Sequence, residues 1–263
     1  MTAALSRKRE IRRAFERAAP AYDRAARVQR EAAARLLDFA LTQPRPAGVR
    51  RILDAGCGTG QALPGLMARF PRAHCIAADF SAAMLAHARA FDAAPLCADI
   101  EHLPLADAAV DLYWSSLALQ WCTPATALAE AARVLTPGGT AWIATLGPRT
   151  LHELRAAFAA VDDAAHVIDF ANAGHWLDDA RAAGFSILSS ARTPLCDLAA
   201  DLRTLLGNIK AIGARTVGEK RRKTPLGRHG WQTLQSAYEA FRRPDGVLPA
   251  TYDLILLALR KSP

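Results

Sequence analysis

The chain has 263 residues, enough for one large domain or a domain with an insertion, and its 51% apolar content allows a sizeable core. No stretch approaches the roughly 18–20 uncharged apolar residues of a membrane span, and the Arg-rich start, residues 1–20, lacks the apolar run of a secretory signal. Net charge is +8, with basic clusters at "SRKREIRR" (6–13) and "EKRRKTPLGRH" (219–229); they read as solvated faces or as docking sites for an acidic partner, and no aromatic-interleaved basic ribbon suggests nucleic acid. Residues 7–41 are rich in Ala, Arg and Leu at helical spacing and predict helices broken near Pro20. "PRPAG" (44–48) is a linker, after which strand and helix signals alternate. "RRILDA" is a strand, "QALPGLMARF" a helix, "HCIAADF" a strand ending in Asp79, and "SAAMLAHARA" a helix capped by Ser81. "PLCADI" is a strand ending at Asp99, "VDLYWSSLAL" a strand, "PATALAEAARVL" a helix stopped by "TPGG", and "TAWIATLG" a strand. Beyond 150, "TLHELRAAFAAVDD" and "HWLDDARAAG" predict helices, "FSILSSART" a strand, 195–243 mostly helix, and "TYDLILLALR" a final strand.

Such alternation means an α/β fold with a parallel sheet. Its ligand crevice lies at the carboxyl ends of the strands. There the sequence places a glycine turn, "GCGTG" (56–60), together with Asp54, Asp79 and Asp99. The glycines let backbone approach a ligand closely. An acid closing the second strand can accept hydrogen bonds from ribose hydroxyls and would repel a 2′-phosphate. With no Lys in the turn and Asp54 beside it, the region suits a cationic or zwitterionic ligand better than a pyrophosphate. The five cysteines (57, 75, 97, 122, 196) show no CxxC and no metal spacing, and are expected to be small buried hydrophobes in a reducing cytosol. Cys57 has no His placed to activate it and reads as a turn residue.

"LDAGCGTG" resembles motif I of the class I S-adenosylmethionine (SAM)-dependent methyltransferases; "AADFS", "ADIEHLPLADAAVDLYWSSLALQW" and "RVLTPGGT" resemble their later motifs, over about 50–146. The resemblance implies a Rossmann-like, doubly wound, mostly parallel seven-stranded sheet, and SAM as cofactor, leaving S-adenosyl-L-homocysteine. It implies that Gly56, Gly58 and Gly60 line the methionine moiety beside Asp54, that Asp79 holds the ribose, and that Phe80 and Met84 pack on adenine. Asp99 and Ile100 would reach the amino edge of the base, and Leu117 would face the sulfonium side.

Five further stretches resemble the malonyl-acyl-carrier-protein O-methyltransferases of biotin synthesis: residues 14–37, 114–122, 145–162, 208–215 ("NIKAIGAR") and 248–254. That family esterifies the free carboxylate of a malonyl-thioester. A carboxylate is ionised at neutral pH, so no general base and no metal is expected. The carboxylate needs an orienting cation; Lys210 is the first candidate and Arg215 the second. Trp121 and Gln120 are placed to line the acceptor channel, where a phosphopantetheine arm would enter, Tyr22 to close over SAM, and Gln29 to bind its methionine carboxylate. Residues 1–45 are expected to form N-terminal helices of a lid and 46–263 the methyltransferase domain, with further lid segments near 150–170 and 195–245. The expected partner is a malonyl-bearing acyl carrier protein, acting with a cytoplasmic monomer. A SAM-binding assembly factor that acts on a respiratory-complex side chain, and a small-acid O-methyltransferase, are the alternative readings.

Overall fold

The computed structural model describes residues 3–212 and 224–263. Seven strands, β1 (Arg51–Ala55), β2 (His74–Asp79), β3 (Ala93–Cys97), β4 (Val110–Ser116), β5 (Leu135–Leu146), β6 (Phe185–Ala199) and β7 (Leu248–Lys261), form one sheet in the order β3-β2-β1-β4-β5-β7-β6. The pairs β3–β2, β2–β1, β1–β4 and β4–β5 are parallel, and β7 runs antiparallel to β5. Strand order reverses between β1 and β4, the switch point at which doubly wound sheets hold ligands.

The chain divides into two compact units, one of Met1–Val28, Pro148–Phe170 and Pro194–Asp253, the other of Gln29–Gly147, Ala171–Thr193 and Leu254–Pro263. In the second unit both sheet faces are covered. Leu53, Ala55, Tyr113 and Ile143 pack with Leu128 and Ala131 of α6 (Pro124–Val134) and Trp176 of α8 (Ala173–Ala182). On the opposite face Trp114 meets Trp142 edge-on at 6.5 Å, and Phe70, at the end of α4 (Leu63–Arg69), lies 6.1 Å from Trp142. Helix α3 (Arg27–Leu41) crosses α4 closely: a Cβ on Gly65 would stand 3.0 Å from Leu37. Residues 254–259 of β7 are all buried, the unbroken apolar run expected of a strand covered on both faces. Each large aliphatic side chain there contributes about 1.5–3 kcal/mol.

The first unit contains α1 (Ala3–Ala18), the short α2 (Tyr22–Ala25), α7 (His152–Ala159), α9 (Leu202–Ala211) and α10 (Arg228–Glu239). Buried polar bonds hold it. Glu153, 2% exposed, accepts from both the hydroxyl and the amide of Thr251. Asp197 accepts from Arg27 at 2.6 Å through one oxygen and from Asn208 at 3.2 Å through the other. One carboxylate thus ties the start of α3, the end of β6 and α9 together.

Three expectations need correction. Strand β6 does not give way to helix at 195: it runs to Ala199, because Leu195, Asp197 and Ala199 alternate inward, and α9 starts only where Asp201 caps Thr204 N–H at 2.9 Å. Strand β5 begins within "LTPGG", since Leu135 already pairs with Val110 before the register shifts. The cysteines are not uniformly buried: Cys57 and Cys75 are, Cys122 and Cys196 are half-buried, and Cys97 is exposed on β3, the edge strand.

Candidate cofactor and acceptor site

The glycine turn leaves β1 and is anchored to its neighbour. The amides of Gly56 and Cys57 both donate to Ala78 O, at 2.8 and 2.9 Å. Gly56 and Gly58 carry positive φ, +78° and +55°, for different reasons. A Cβ on Gly56 would lie 2.2 Å from the Ala118 Cβ, so this glycine lets the loop after β4 press against the turn. At Gly58 a Cβ would meet nothing within 4 Å. The turn is thus packed against protein at Gly56 and open at Gly58. Gly60 packs beneath Phe91.

Asp79 closes β2 at 8% exposure, taking the Gly58 amide at 3.0 Å on one oxygen and the Ser81 amide at 2.8 Å on the other. Burial raises its carboxyl to about 6, against the lowering effect of those N–H bonds. The Phe80 amide is a third backbone donor to this carboxyl. Ser81 caps α5 (Ala82–Ala88), its Oγ accepting from Met84 N at 3.3 Å. Asp54 is 2% exposed and its Oδ2 has no hydrogen-bond partner. Burial, reinforced by the Asp79 charge, raises it to about 8. A buried carboxylate with an orphaned oxygen demands a cation or a donor. The same burial and acids push the Cys57 thiol far up, so it is no nucleophile.

After β3, Asp99 accepts from Glu101 N at 3.0 Å, and Ile100 is 8% exposed. Phe80 is half-buried beside Asp79, and Met84, on α5, is 1% exposed. Leu117, directly after β4, adopts φ +52°, with its amide on Ala144 O at 2.9 Å. Gln120 and Trp121 lie in the following 3-10 turn (Leu119–Trp121), and Gln120 Nε2 donates to Leu117 O at 2.7 Å. The structure therefore gathers Asp54, Gly56, Gly58, Asp79, Leu117 and Gln120 at the carboxyl ends of β1, β2 and β4. Gln29, on α3, has a buried Oε1 without a hydrogen-bond partner among the described residues. Tyr22 and Lys210 belong to the first unit; Tyr22 is half-buried with its ring 6.4 Å from Phe15, and Lys210 is exposed in the last turn of α9. Arg215 lies outside the described residues.

Sequence reading missed the supports. Glu101, 4% exposed, accepts from Thr123 N at 2.9 Å and so joins the loop after Asp99 to the start of α6. Arg133 donates to Glu130, to Asp107 and to the carbonyls of Leu103 and Leu105, fastening the same loop. Arg133 and Glu130 stand three apart on α6, a detectable spacing; nothing local pointed to the Leu103 and Leu105 carbonyls that Arg133 reaches or to the Leu103 amide from which Glu130 accepts.

The residues fit an adenosyl sulfonium, which carries no phosphate and brings donors of its own: an open glycine, an acid closing β2 and an orphaned carboxyl oxygen. Residues 53–143 match the family described as Methyltransferase domain. A Bacillus halodurans protein described as a methyltransferase superposes with TM-score 0.61 at 18% identity, covering 88% of this chain and 99% of its own. Geranyl diphosphate C-methyltransferase of Streptomyces coelicolor, solved with S-adenosyl-L-homocysteine, reaches TM-score 0.52 at 15% identity over 87% and 79% of the two chains. Sheet order, glycine turn and acids together define a class I SAM-dependent methyltransferase.

Sequence relatives narrow the class. A malonyl-[acyl-carrier protein] O-methyltransferase of Dechloromonas aromatica is 47% identical over 257 residues, 97% of this chain and 95% of its own. One of Herminiimonas arsenicoxydans is 38% identical over 97% and 96% of the two chains. A biotin biosynthesis bifunctional protein of Cellvibrio japonicus is 38% identical over 97% of this chain and 50% of its own length. The chain belongs to the malonyl-[acyl-carrier protein] O-methyltransferase family.

Proposed function

We propose that the protein methylates the free carboxylate of malonyl-acyl carrier protein, as the proteins it resembles are named for doing, and so makes a methyl-ester primer for biotin synthesis. The observation that carries this reading is 47% identity sustained over nearly the full length of both chains. Bound SAM supplies an activated methyl: the carboxylate oxygen takes it as the carbon–sulfur bond breaks with its electron pair staying on sulfur, giving S-adenosyl-L-homocysteine and an ester with no proton to move.

In this reading Asp79 accepts the ribose hydroxyls, with Phe80, Asp99 and Ile100 on the adenine. Asp54 Oδ2 receives the cofactor ammonium, which relieves the unpaired buried carboxylate. Gly58 leaves room for the methionine chain, and Leu117 and Trp121 shape the approach to the reacting carbon. Holding carboxylate, methyl and sulfur in line can supply up to roughly 7–11 kcal/mol. Lys210 is the proposed partner of the malonyl carboxylate. The acidic carrier would meet a basic chain; of the cluster at 219–229, Arg228 and His229 are exposed on α10 and residues 219–223 lie outside the described residues. No helix among the described residues is long and apolar enough to cross a membrane. We read the enzyme as a cytoplasmic monomer.

Methyl transfer from labelled SAM, measured side by side on malonyl-carrier protein, malonyl-coenzyme A and free diacids, tests the reading. Ester formation on the malonyl thioesters supports it. Turnover of free diacids alone would favour the small-acid enzyme, and no turnover of any would favour the assembly factor.

A further inference from the structure

Gln120 carries a chemical signature of its own. Its Nε2 donates to Leu117 O at 2.7 Å, which fixes the orientation of the amide, since an oxygen at that place would face another oxygen. The other end, Oε1, is buried with no hydrogen-bond partner. The loop that holds it is rigid: Leu117 is locked at φ +52°, Trp121 N bonds Ala118 O at 3.1 Å, and Ala118 is pressed onto the glycine turn at Gly56. A buried amide oxygen is an acceptor only and is costly when left unmatched. It therefore cannot recognise the malonyl carboxylate, which carries no donor at neutral pH.

Among the donors of the proposed ligands, the ribose hydroxyls are given to Asp79 and the adenine amino group to Asp99 and Ile100, which leaves the ammonium of the cofactor and, nearest the reacting thioester, the amide N–H two carbons from sulfur in the pantetheine arm. Charge matching separates them. The ammonium belongs with Asp54, because a cation beside that buried carboxyl favours its ionised form and pairs with it, which a neutral amide N–H does not. We propose that Gln120 Oε1 accepts the first amide N–H of the acceptor's pantetheine arm, and thereby selects pantetheine thioesters over other malonyl esters. The inference rests on the malonyl-thioester reading above and deepens it.

The test compares kcat/KM for two small acceptors, malonyl-S-N-acetylcysteamine, which has that amide, and malonyl-S-butyl thioester, which lacks it. Wild type should prefer the first by roughly tenfold. In Gln120→Met the ratio should fall to near one while the Kd for SAM changes less than twofold. Losing the Leu117 contact slows both acceptors alike, so the ratio isolates Oε1. Should Gln120→Met fold poorly, the wild-type enzyme gives the comparison with a third acceptor, the N-methylated analogue of malonyl-S-N-acetylcysteamine, which keeps the amide carbonyl but has no N–H and should be used no better than the butyl thioester. A ratio that survives the substitution, or a SAM Kd that weakens with the ratio intact, overturns the assignment and in the latter case gives Gln120 to the ammonium. If wild type methylates neither thioester, the malonyl reading itself has failed.

Discussion

Asp54 offers the sharpest test, because its cofactor role and its folding cost pull against each other. The carboxyl is 2% exposed, one oxygen is unpartnered, and its pKa is raised from 3.8 to about 8. Below pH 4 it is protonated folded or unfolded and costs nothing. Between pH 4 and pH 8 the unfolded chain gives up the proton and the folded chain keeps it, so stability falls as pH rises, by about 1.4 kcal/mol per unit and roughly 6 kcal/mol in all. Asp54→Asn abolishes that slope. The new amide N–H groups, buried in turn, cost about 1–3 kcal/mol at every pH. The variant should therefore be more stable than the parent at pH 8, by about 3 kcal/mol, with the advantage shrinking and then reversing toward pH 4. Urea unfolding followed by tryptophan fluorescence, without SAM, at pH 5, 6.5 and 8, reads this directly. Titration calorimetry on the same samples should show SAM binding at least tenfold weaker in the variant. Parallel stability–pH curves for the two proteins, or undiminished SAM binding by Asp54→Asn, would refute the reasoning.

Asp79→Ala should remove ribose recognition and the anchor of the Gly58 amide, weakening SAM and S-adenosyl-L-homocysteine by tenfold or more in calorimetry. Gly56→Ala and Gly58→Ala should part company: the first meets Ala118 and should lower Tm by several degrees, while the second pays only backbone strain of about 1 kcal/mol, so its main loss should be SAM affinity. Arg27→Met leaves the Asp197 carboxylate with Asn208 as its side-chain partner among the described residues and should cost about 1–3 kcal/mol in urea unfolding, whereas the double variant Arg27→Met/Asp197→Leu should recover part of it. Lys210→Met should raise KM for the malonyl acceptor with SAM Kd unchanged; an unchanged KM would move the carboxylate's cation elsewhere.

The first 146 residues were the legible part because the determinants there are local. An apolar run, a glycine turn and an acid two residues inside β1 sit within one stretch of ten residues, and hydrophobic periodicity marks strand and helix alike. What escaped were features whose cause lies far off in sequence. Asp197 looks like a charge entering a helical segment until Arg27, 170 residues earlier, pairs with it and keeps β6 extended. Glu101 reads as a loop acid until Thr123 meets it. The left-handed Leu117 carries no signal at all, since leucine has no preference for that conformation; the requirement comes from the Ala144 carbonyl and the Gln120 amide on either side.

The acids around the glycine turn also bear on why so little catalytic apparatus is needed. Methyl transfer from a sulfonium to a carboxylate destroys one positive and one negative charge. A dry crevice disfavours separated charge more than water does, so excluding solvent from the two reactants already favours their conversion to thioether and ester. A strong protein partner for the sulfonium would work against that gain, and on the acceptor side a single exposed-end cation such as Lys210 costs less of it than a buried pair would. On the cofactor side the proposed contacts are consistent with this: in them Asp54 and Asp79 address the ammonium and ribose rather than the sulfonium, and the segment expected to face the sulfur carries an apolar side chain, Leu117. Anchoring the cofactor by its outlying polar groups, and leaving the sulfonium without a protein counter-charge, lets burial do part of what a general base does for an alcohol acceptor, while one cation orients the carboxylate.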